Sequence, residues 1–199
     1  MVPNVEFDIL IFSFLIMNVQ SIKPEVFPTG LNAGIPCVII LLGGDTDMSS
    51  NQIVDAVRKL NLNTLCISGN IQENPECRTI AKDFCGIGYE VIMLVDASDS
   101  IEPLRMIKGL RFSIKIKAPT ETENDVNPKN LPLLKEADEL IFKIEFPEDY
   151  EAAITFLQSK LITRPTASLM LGTFGGKNEV IAKYLEFAGK FIYNTRCYV

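Results

Sequence analysis

The apolar run over residues 36–42, which reads PCVIILL, limits the possible folds of this chain more than any other segment. A strand without alternating polar residues is typical of a parallel sheet that is covered on both faces. The pair Gly43 and Gly44 is predicted to end this strand. Ser49 and Ser50 then offer N-caps to a stretch with apolar residues at helical spacing over 53–60. This βα pattern predicts an α/β protein.

The same unit recurs along the chain, which favours one domain over residues 1–199 with a mainly parallel sheet. Residues 1–20 are interpreted as an N-terminal strand extension. Residues 119–130 have no period and predict a long loop. Further strands are predicted at 64–68, 90–95, 111–117, 139–145, 166–171 and 190–194. Helices are predicted at 75–84, at 100–107, from 147 onward and at 178–188. A further short helix is predicted to end near residue 137.

Composition excludes several function classes. The chain has no histidine, so imidazole acid–base catalysis and imidazole metal sites are excluded. A net charge of −6 disfavours a nucleic-acid partner, because such binding depends on clustered Lys and Arg. The apolar stretch over 9–19 is too short to span a bilayer and has no signal-like flank, so no membrane partner is expected. Five cysteines without repeated close spacing predict reduced thiols and a cytoplasmic location.

Several segments, in order and spacing, carry a family resemblance. They lie at 21–25 (SIKPE), 34–44 (GIPCVIILLGG), 65–70 (LCISGN), 88–91 (GYEV), 113–119 (SIKIKAP) and 137–144 (ADELIFKI). Together they resemble the 7-carboxy-7-deazaguanine synthases, the QueE-like members of the radical S-adenosylmethionine (SAM) superfamily. The resemblance implies a partial (β/α) barrel. It also implies an iron–sulfur cluster and SAM at the carboxyl ends of the strands.

The chain departs from this family at the cofactor positions. The family has the first of three cluster-binding cysteines after the glycine that ends the first barrel strand, whereas this chain has Gly44 and no cysteine over 44–51. An iron–sulfur cluster is therefore not expected. The family's Gly-Gly-Glu-Pro turn is replaced by Ser68, Gly69, Asn70 and Ile71, so the carboxylate that would meet the ammonium of SAM is missing. Binding of SAM is accordingly doubtful, and no cofactor is expected.

The sequence leads to one principal hypothesis, a non-catalytic pseudoenzyme that binds a small polar ligand or a segment of a partner protein. Its predicted site, at the strand ends, consists of Gly44, Asp45, Asp47, Ser68, Asn70, Asp96, Lys115 and Lys117. Lys115 and Lys117 share one strand face, which points either into the barrel mouth or to solvent.

Two alternatives stay open. Asp45, Asp47 and Asp96 could instead surround a divalent cation, because hard cations bind carboxylate oxygens. In that case the protein would be an enzyme with replaced chemistry. The third hypothesis is a structural subunit that uses the fold as an interface. A homodimer is possible.

Overall fold

The computed structural model of the protein describes residues 16–26, 35–69, 75–116, 126–144, 147–159, 166–171 and 195–198. One sheet of eight strands runs through them in the order of the sequence. The strands are β1 (Ile16–Val26), β2 (Pro36–Ser49), β3 (Thr64–Ser68), β4 (Glu90–Asp96), β5 (Arg111–Ile116), β6 (Glu139–Ile144), β7 (Thr166–Leu171) and β8 (Thr195–Tyr198).

The strand order defines the architecture. From β2 to β8 each strand pairs in parallel with the next, while β1 pairs antiparallel with β2. Parallel strands added in sequence order form a (β/α) barrel wall, whereas a doubly wound sheet reverses its order midway. Among the described residues β1 and β8 are the two edges of the sheet, so the wall is an open, partial barrel. The predicted α/β class and mainly parallel sheet are confirmed.

Three α-helices occur in the described part of the chain: α1 (Ser50–Lys59), α2 (Cys77–Gly86) and α3 (Pro147–Ser159). The predicted N-cap of α1 is confirmed at Ser49, which forms a capping box with Gln52. Acidic residues Glu148 and Asp149 occupy the first turn of α3, where the helix dipole favours them. No helix in the described residues is long and apolar enough to cross a membrane.

Alternate strand residues divide the core between two sheet faces. The outer face packs against the helices in the larger cluster, which includes Ile40, Ile67, Met93 and Phe112. The inner face, which lines the barrel lumen, carries a smaller apolar cluster of Cys37, Ile39, Cys66, Ile92, Leu94 and Ile141. This inner cluster covers only the middle of the strands. Polar side chains occupy both ends of the lumen.

The predicted helix at 100–107 is wrong. The connection from β4 to β5 contains only a 3-10 turn, Glu102–Leu104, although its residues are all described. Its buried residues Ile101, Leu104, Ile107 and Leu110 recur every three positions. A three-residue spacing aligns side chains in a 3-10 turn, not in an α-helix. Backbone bonds from Leu104 to Ile101 and from Ile107 to Leu104, both 3.0 Å, follow this spacing.

Two further boundaries differ from expectation. The short helix expected near residue 137 is also a 3-10 turn, Leu131–Leu133. β8 begins at Thr195, directly after the predicted strand at 190–194, which lies outside the described residues together with the predicted helix at 178–188. Residues 119–125 of the predicted loop are outside them as well.

Candidate functional site

A polar cavity of about 310 Å³ opens on the inner face at the carboxyl ends of β3, β4 and β5. Its volume is at the lower end of the range that small-molecule sites occupy, about 300–1,000 Å³. It is lined by Ser68, Gly69, Leu94, Asp96, Ser98, Asp99 and Lys115. Hydroxyl, carboxylate and ammonium groups therefore converge at the edge of the sheet where α/β proteins place their ligands.

Asp96 and Lys115 are register partners on β4 and β5 and form an ion pair across the cavity. Lys115 Nζ lies 3.8 Å from Asp96 Oδ1, and about a third of each side chain is exposed. A long, partly exposed pair of this kind adds little to stability because water screens it. Both groups are accessible from the cavity, so a ligand can contact either charge.

Asn130 fixes the loop that follows β4 and forms one wall of the cavity. Its side chain is buried, and its Nδ2 donates to the carbonyls of Ala97, at 3.3 Å, and Asp99, at 2.7 Å. Its Oδ1 accepts from the Ile101 amide at 3.1 Å. These bonds satisfy backbone groups that no helix or strand satisfies. The position of Asp99 therefore depends on a residue 31 positions later in the chain.

Cys66 lies on the inner face, two residues before Ser68 on β3. Burial and, to a smaller extent, the neighbouring Cys37 raise the pKa of its thiol to about 12, against an opposing effect of Lys115. A thiol with this pKa stays protonated at neutral pH, which disfavours its action as a nucleophile. Cys66 therefore contributes an apolar surface to the lumen below the cavity.

Gly69 turns the chain at the end of β3 in close contact with β2. Its φ is +139°, and a Cβ atom there would lie 2.7 Å from Leu42 Cβ. Neither the conformation nor the space admits a side chain without rearrangement. At Gly69 the cavity rim therefore consists of backbone atoms only.

β1 and the second half of β2 form a two-stranded arm beside the cavity end of the sheet. Thr46, Asp47, Met48 and Ser49 pair with residues of β1, and the register shifts in the bulge that contains Gly43 and Gly44. The predicted strand end at Gly43 and Gly44 is therefore wrong, because residues 44–49 continue the strand. Met17 and Val19 of β1 are buried in the larger apolar cluster, and this burial stabilises the arm.

Gly44 lies directly against the backbone of β1. A Cβ atom on this residue would lie 2.3 Å from Gln20 Cα and 2.6 Å from the carbonyl oxygen of Val19. Such contacts are well below van der Waals distances, and they involve backbone atoms that cannot rotate away. Gly44 is the one residue type that fits at this crossing.

The structure thus separates the predicted site residues. Ser68, Asp96 and Lys115 line one cavity, which also places Lys115 on the lumen side of its strand. Gly44, Asp45 and Asp47 lie on the arm and are not among the lining residues, and Asp45 and Asp47 are exposed. Asn70 and Lys117 lie outside the described residues.

Sequence reasoning missed Gly69, Leu94, Ser98 and Asp99 as lining residues. Ser98 and Asp99 belong to a polar segment directly after β4, and this position was the available signal. In the described ranges, no three Cys, Asp or Glu side chains are grouped as metal ligands would be.

The amino ends of the strands contrast with this cavity. Buried Asp138 pairs with Arg105 and accepts from the amides of Phe112, at 3.0 Å, and Lys135, at 2.7 Å. The Arg105 guanidinium also lies 5.0 Å from the centroid of the Phe112 ring. Nearby, Arg111 pairs with Glu90.

One more pair completes this end of the sheet. Ser113 Oγ donates to Glu139 Oε2 at 3.2 Å, and both residues are buried. The amino end is therefore closed by paired polar groups.

These features define an α/β protein with a partial (β/α) barrel and a polar cavity at the carboxyl ends of its strands. The crystal structure of QueE from Escherichia coli has the same fold, with a TM-score of 0.69 over 92% of each chain. Sequence identity is 11%, so this likeness shows the fold alone. No protein-family model and no curated protein sequence matches the chain.

Proposed function

We propose that this protein is a binding protein on a radical-SAM-like fold, a pseudoenzyme that holds a small polar ligand in the cavity and performs no radical chemistry. The observation that carries the proposal is the contact of Gly44 with the β1 backbone, 2.3 Å from a Cβ atom to Gln20 Cα. In the family that the sequence resembles, this position holds the first cluster-binding cysteine. A cysteine side chain does not fit here unless β1 moves.

The remaining cysteines do not replace the missing ligands. Cluster ligation requires several thiolates around one point. Burial raises the pKa of Cys66 and of Cys77 to about 12, which opposes the thiolate form. Cys77 belongs to the outer-face core, whereas Cys66 belongs to the inner-face cluster. The described residues therefore do not fit an iron–sulfur cluster, and no step through one is derived.

The charges of the cavity favour a ligand that carries groups of both signs or several hydroxyls. Asp96 and Asp99 offer carboxylates, Lys115 offers an ammonium, and Ser68 and Ser98 offer hydroxyls. Because Lys115 and Asp96 are 3.8 Å apart, a ligand can exchange their long contact for shorter charge-assisted hydrogen bonds. Small amino acids, hydroxy acids and nucleosides are the classes that fit this description.

Two measurements test the proposal. The first is anaerobic reconstitution with iron and sulfide, with Escherichia coli QueE prepared in parallel as a control. We expect no cluster absorbance and no reductive cleavage of SAM by this protein. Stoichiometric cluster uptake would overturn the non-catalytic assignment.

The second measurement is a thermal-shift and calorimetric screen against amino acids, hydroxy acids, nucleosides and SAM. Binding should be lost in Lys115→Met and retained in the matched variant Lys135→Met, whose lysine is exposed and lies outside the cavity. Equal binding by both variants would exclude the cavity as the site.

Cys37, Cys66, Cys77 and Cys85 are free, which supports our further proposal of a reducing, cytoplasmic location. Homodimer formation is also proposed, and light scattering after size exclusion measures it. A monomer at all concentrations would contradict it.

A further inference from the structure

A second concave surface lies on the outer side of the sheet, between α2 and the β4–β5 connection. This groove, which we call the α2 groove, has a volume of about 720 Å³. It is lined by Arg78, Lys82, Cys85, Gly86, Met106, Ile107, Lys108 and Gly109. It shares no residue with the inner-face cavity.

The α2 groove follows from the shortened β4–β5 connection. In a (β/α) barrel each connection normally carries an α-helix that packs beside its neighbours. Here a single 3-10 turn covers the sheet with Ile101, Leu104 and Ile107, so the β4–β5 connection places no helix beside this flank of α2. Residues 106–109 form the opposite wall at a distance that leaves the groove open.

Three cations occupy the two walls of the α2 groove. Arg78 and Lys82 are one turn apart on α2, and Lys108 faces them from the connection. None of the lining residues is acidic, although the whole chain has a net charge of −6. Among the described residues, no ion pair involves any of the three cations. Asp83, the neighbour of Lys82 on α2, interacts with it electrostatically: burial raises the pKa of the Asp83 carboxyl and Lys82 lowers it.

The floor of the α2 groove and the exposed Met106 beside it are apolar. Met106 is 85% exposed, the most exposed of the large apolar side chains in the described residues. Cys85 is half-buried and Ile107 is buried beside it. Methionine adapts its shape to flat or irregular ligands, and exposed methionines are common at binding surfaces. The groove therefore combines a cationic rim with an apolar contact surface.

We propose that the α2 groove binds a phosphorylated small molecule that also carries an apolar or aromatic moiety. Guanidinium and ammonium groups bind phosphate oxygens with charge-assisted hydrogen bonds, and Arg78 can form two of them in parallel. The phosphates lie between Arg78, Lys82 and Lys108, and the apolar moiety contacts Met106. The volume is within the range of small-molecule sites.

Isothermal titration calorimetry with three probes tests this site: adenosine diphosphate, inorganic pyrophosphate and adenosine. Adenosine diphosphate should bind more tightly than either fragment, with an affinity that falls as salt rises. Absence of adenosine diphosphate binding at low salt would overturn the proposal. Equal affinity for pyrophosphate would overturn the apolar part of it.

The charge-removal variant Arg78→Gln/Lys82→Gln/Lys108→Gln should weaken adenosine diphosphate binding by about tenfold or more. Its control, Arg58→Gln/Lys59→Gln/Lys129→Gln, removes the same charge from exposed residues outside the groove and should leave the affinity unchanged. A second variant, Met106→Ser, tests the apolar contact. It should reduce the difference in binding affinity between adenosine diphosphate and pyrophosphate.

If the control variant weakens adenosine diphosphate binding equally, binding depends on net charge alone, and the assignment of the site to the α2 groove is overturned. Loss of binding in Lys115→Met would instead place the nucleotide in the inner-face cavity. Because the two sites share no residue, either result leaves the function proposed for that cavity separately testable.

Discussion

The two ends of the parallel strands carry the same kinds of side chain in opposite arrangements. At the amino ends, Asp138 and Arg105 are almost fully buried and in direct contact, with backbone amides as additional donors. At the carboxyl ends, Asp96 and Lys115 are about a third exposed and 3.8 Å apart. Burial and partner distance, and not residue type, therefore distinguish a structural ion pair from groups that are accessible to a ligand.

The largest effect is expected at the amino ends, from Asp138→Ala. The substitution leaves the Arg105 guanidinium and the amides of Phe112 and Lys135 without their acceptor in a buried environment. Removal of one partner of a buried pair costs about 3–5 kcal/mol of unfolding free energy. Urea denaturation measures this loss, and Asp55→Ala on the exposed face of α1 is the control. A loss similar to that of the control would mean that the amino end is not structural.

A smaller effect is expected from Asn130→Ala, which affects the cavity wall without touching its charges. Three hydrogen bonds to the segment at 97–101 are lost, which corresponds to about 2–3 kcal/mol in total. Hydrogen exchange should become faster at Asp99 and Ile101. The exposed Asn51→Ala is the matched control and should leave both measurements unchanged. Unchanged exchange in Asn130→Ala would show that the loop is held by other contacts.

Cys66 lies between the two ends of the lumen. Because of its thiol, we expect the free energy of unfolding to depend on pH at high pH. Its pKa is about 12 in the folded protein, above the usual 9.0. Above pH 9 the unfolded chain releases this proton and the folded protein keeps it, so unfolding becomes more favourable as pH rises toward 12. Between pH 9 and pH 12 this ionisation lowers the free energy of unfolding by about 1.4 kcal/mol per pH unit.

Comparison of the wild type with Cys66→Ala by denaturation at several pH values isolates this contribution, because the Lys and Tyr residues titrate in both proteins. Below pH 9 the difference in unfolding free energy between the wild type and Cys66→Ala should be constant. Parallel curves above pH 9 would indicate that the thiol ionises in the folded protein.

The smallest stability effect is expected at the carboxyl ends, from Lys115→Met. A partly exposed pair at 3.8 Å contributes less than about 1 kcal/mol, so the free energy of unfolding should change little. Thermal and urea denaturation measure it, with Lys135→Met in parallel. A loss as large as that of Asp138→Ala would remove the distinction between the two ends.

Much of the frame was predictable from the sequence because it depends on local signals. The apolar run of β2, the Ser49 cap and the acidic first turn of α3 all indicated elements that the structure contains. Gly43 and Gly44 misled the boundary prediction, since glycines also permit the bulge through which β2 continues. The three-residue spacing from Ile101 to Leu110 is present in the sequence and indicates a 3-10 turn, in contrast to the α-helix predicted at 100–107.

The candidate site was only partly predictable. Ser68, Asp96 and Lys115 were found because parallel strands bring their carboxyl ends to one edge. The arm that takes Asp45 and Asp47 away from this edge depends on pairing with β1, more than twenty residues earlier in the chain. The support of Asp99 by Asn130 likewise joins two distant loops. Contacts of this kind have no local signature.

The order of the strands has a consequence for how the molecule forms. Every strand in the described sheet pairs with its immediate neighbours in the sequence. The chain can therefore acquire its structure progressively, each new βα unit adding to an edge that already exists, as the polypeptide leaves the ribosome. The last strand, β8, must then be the final one to join.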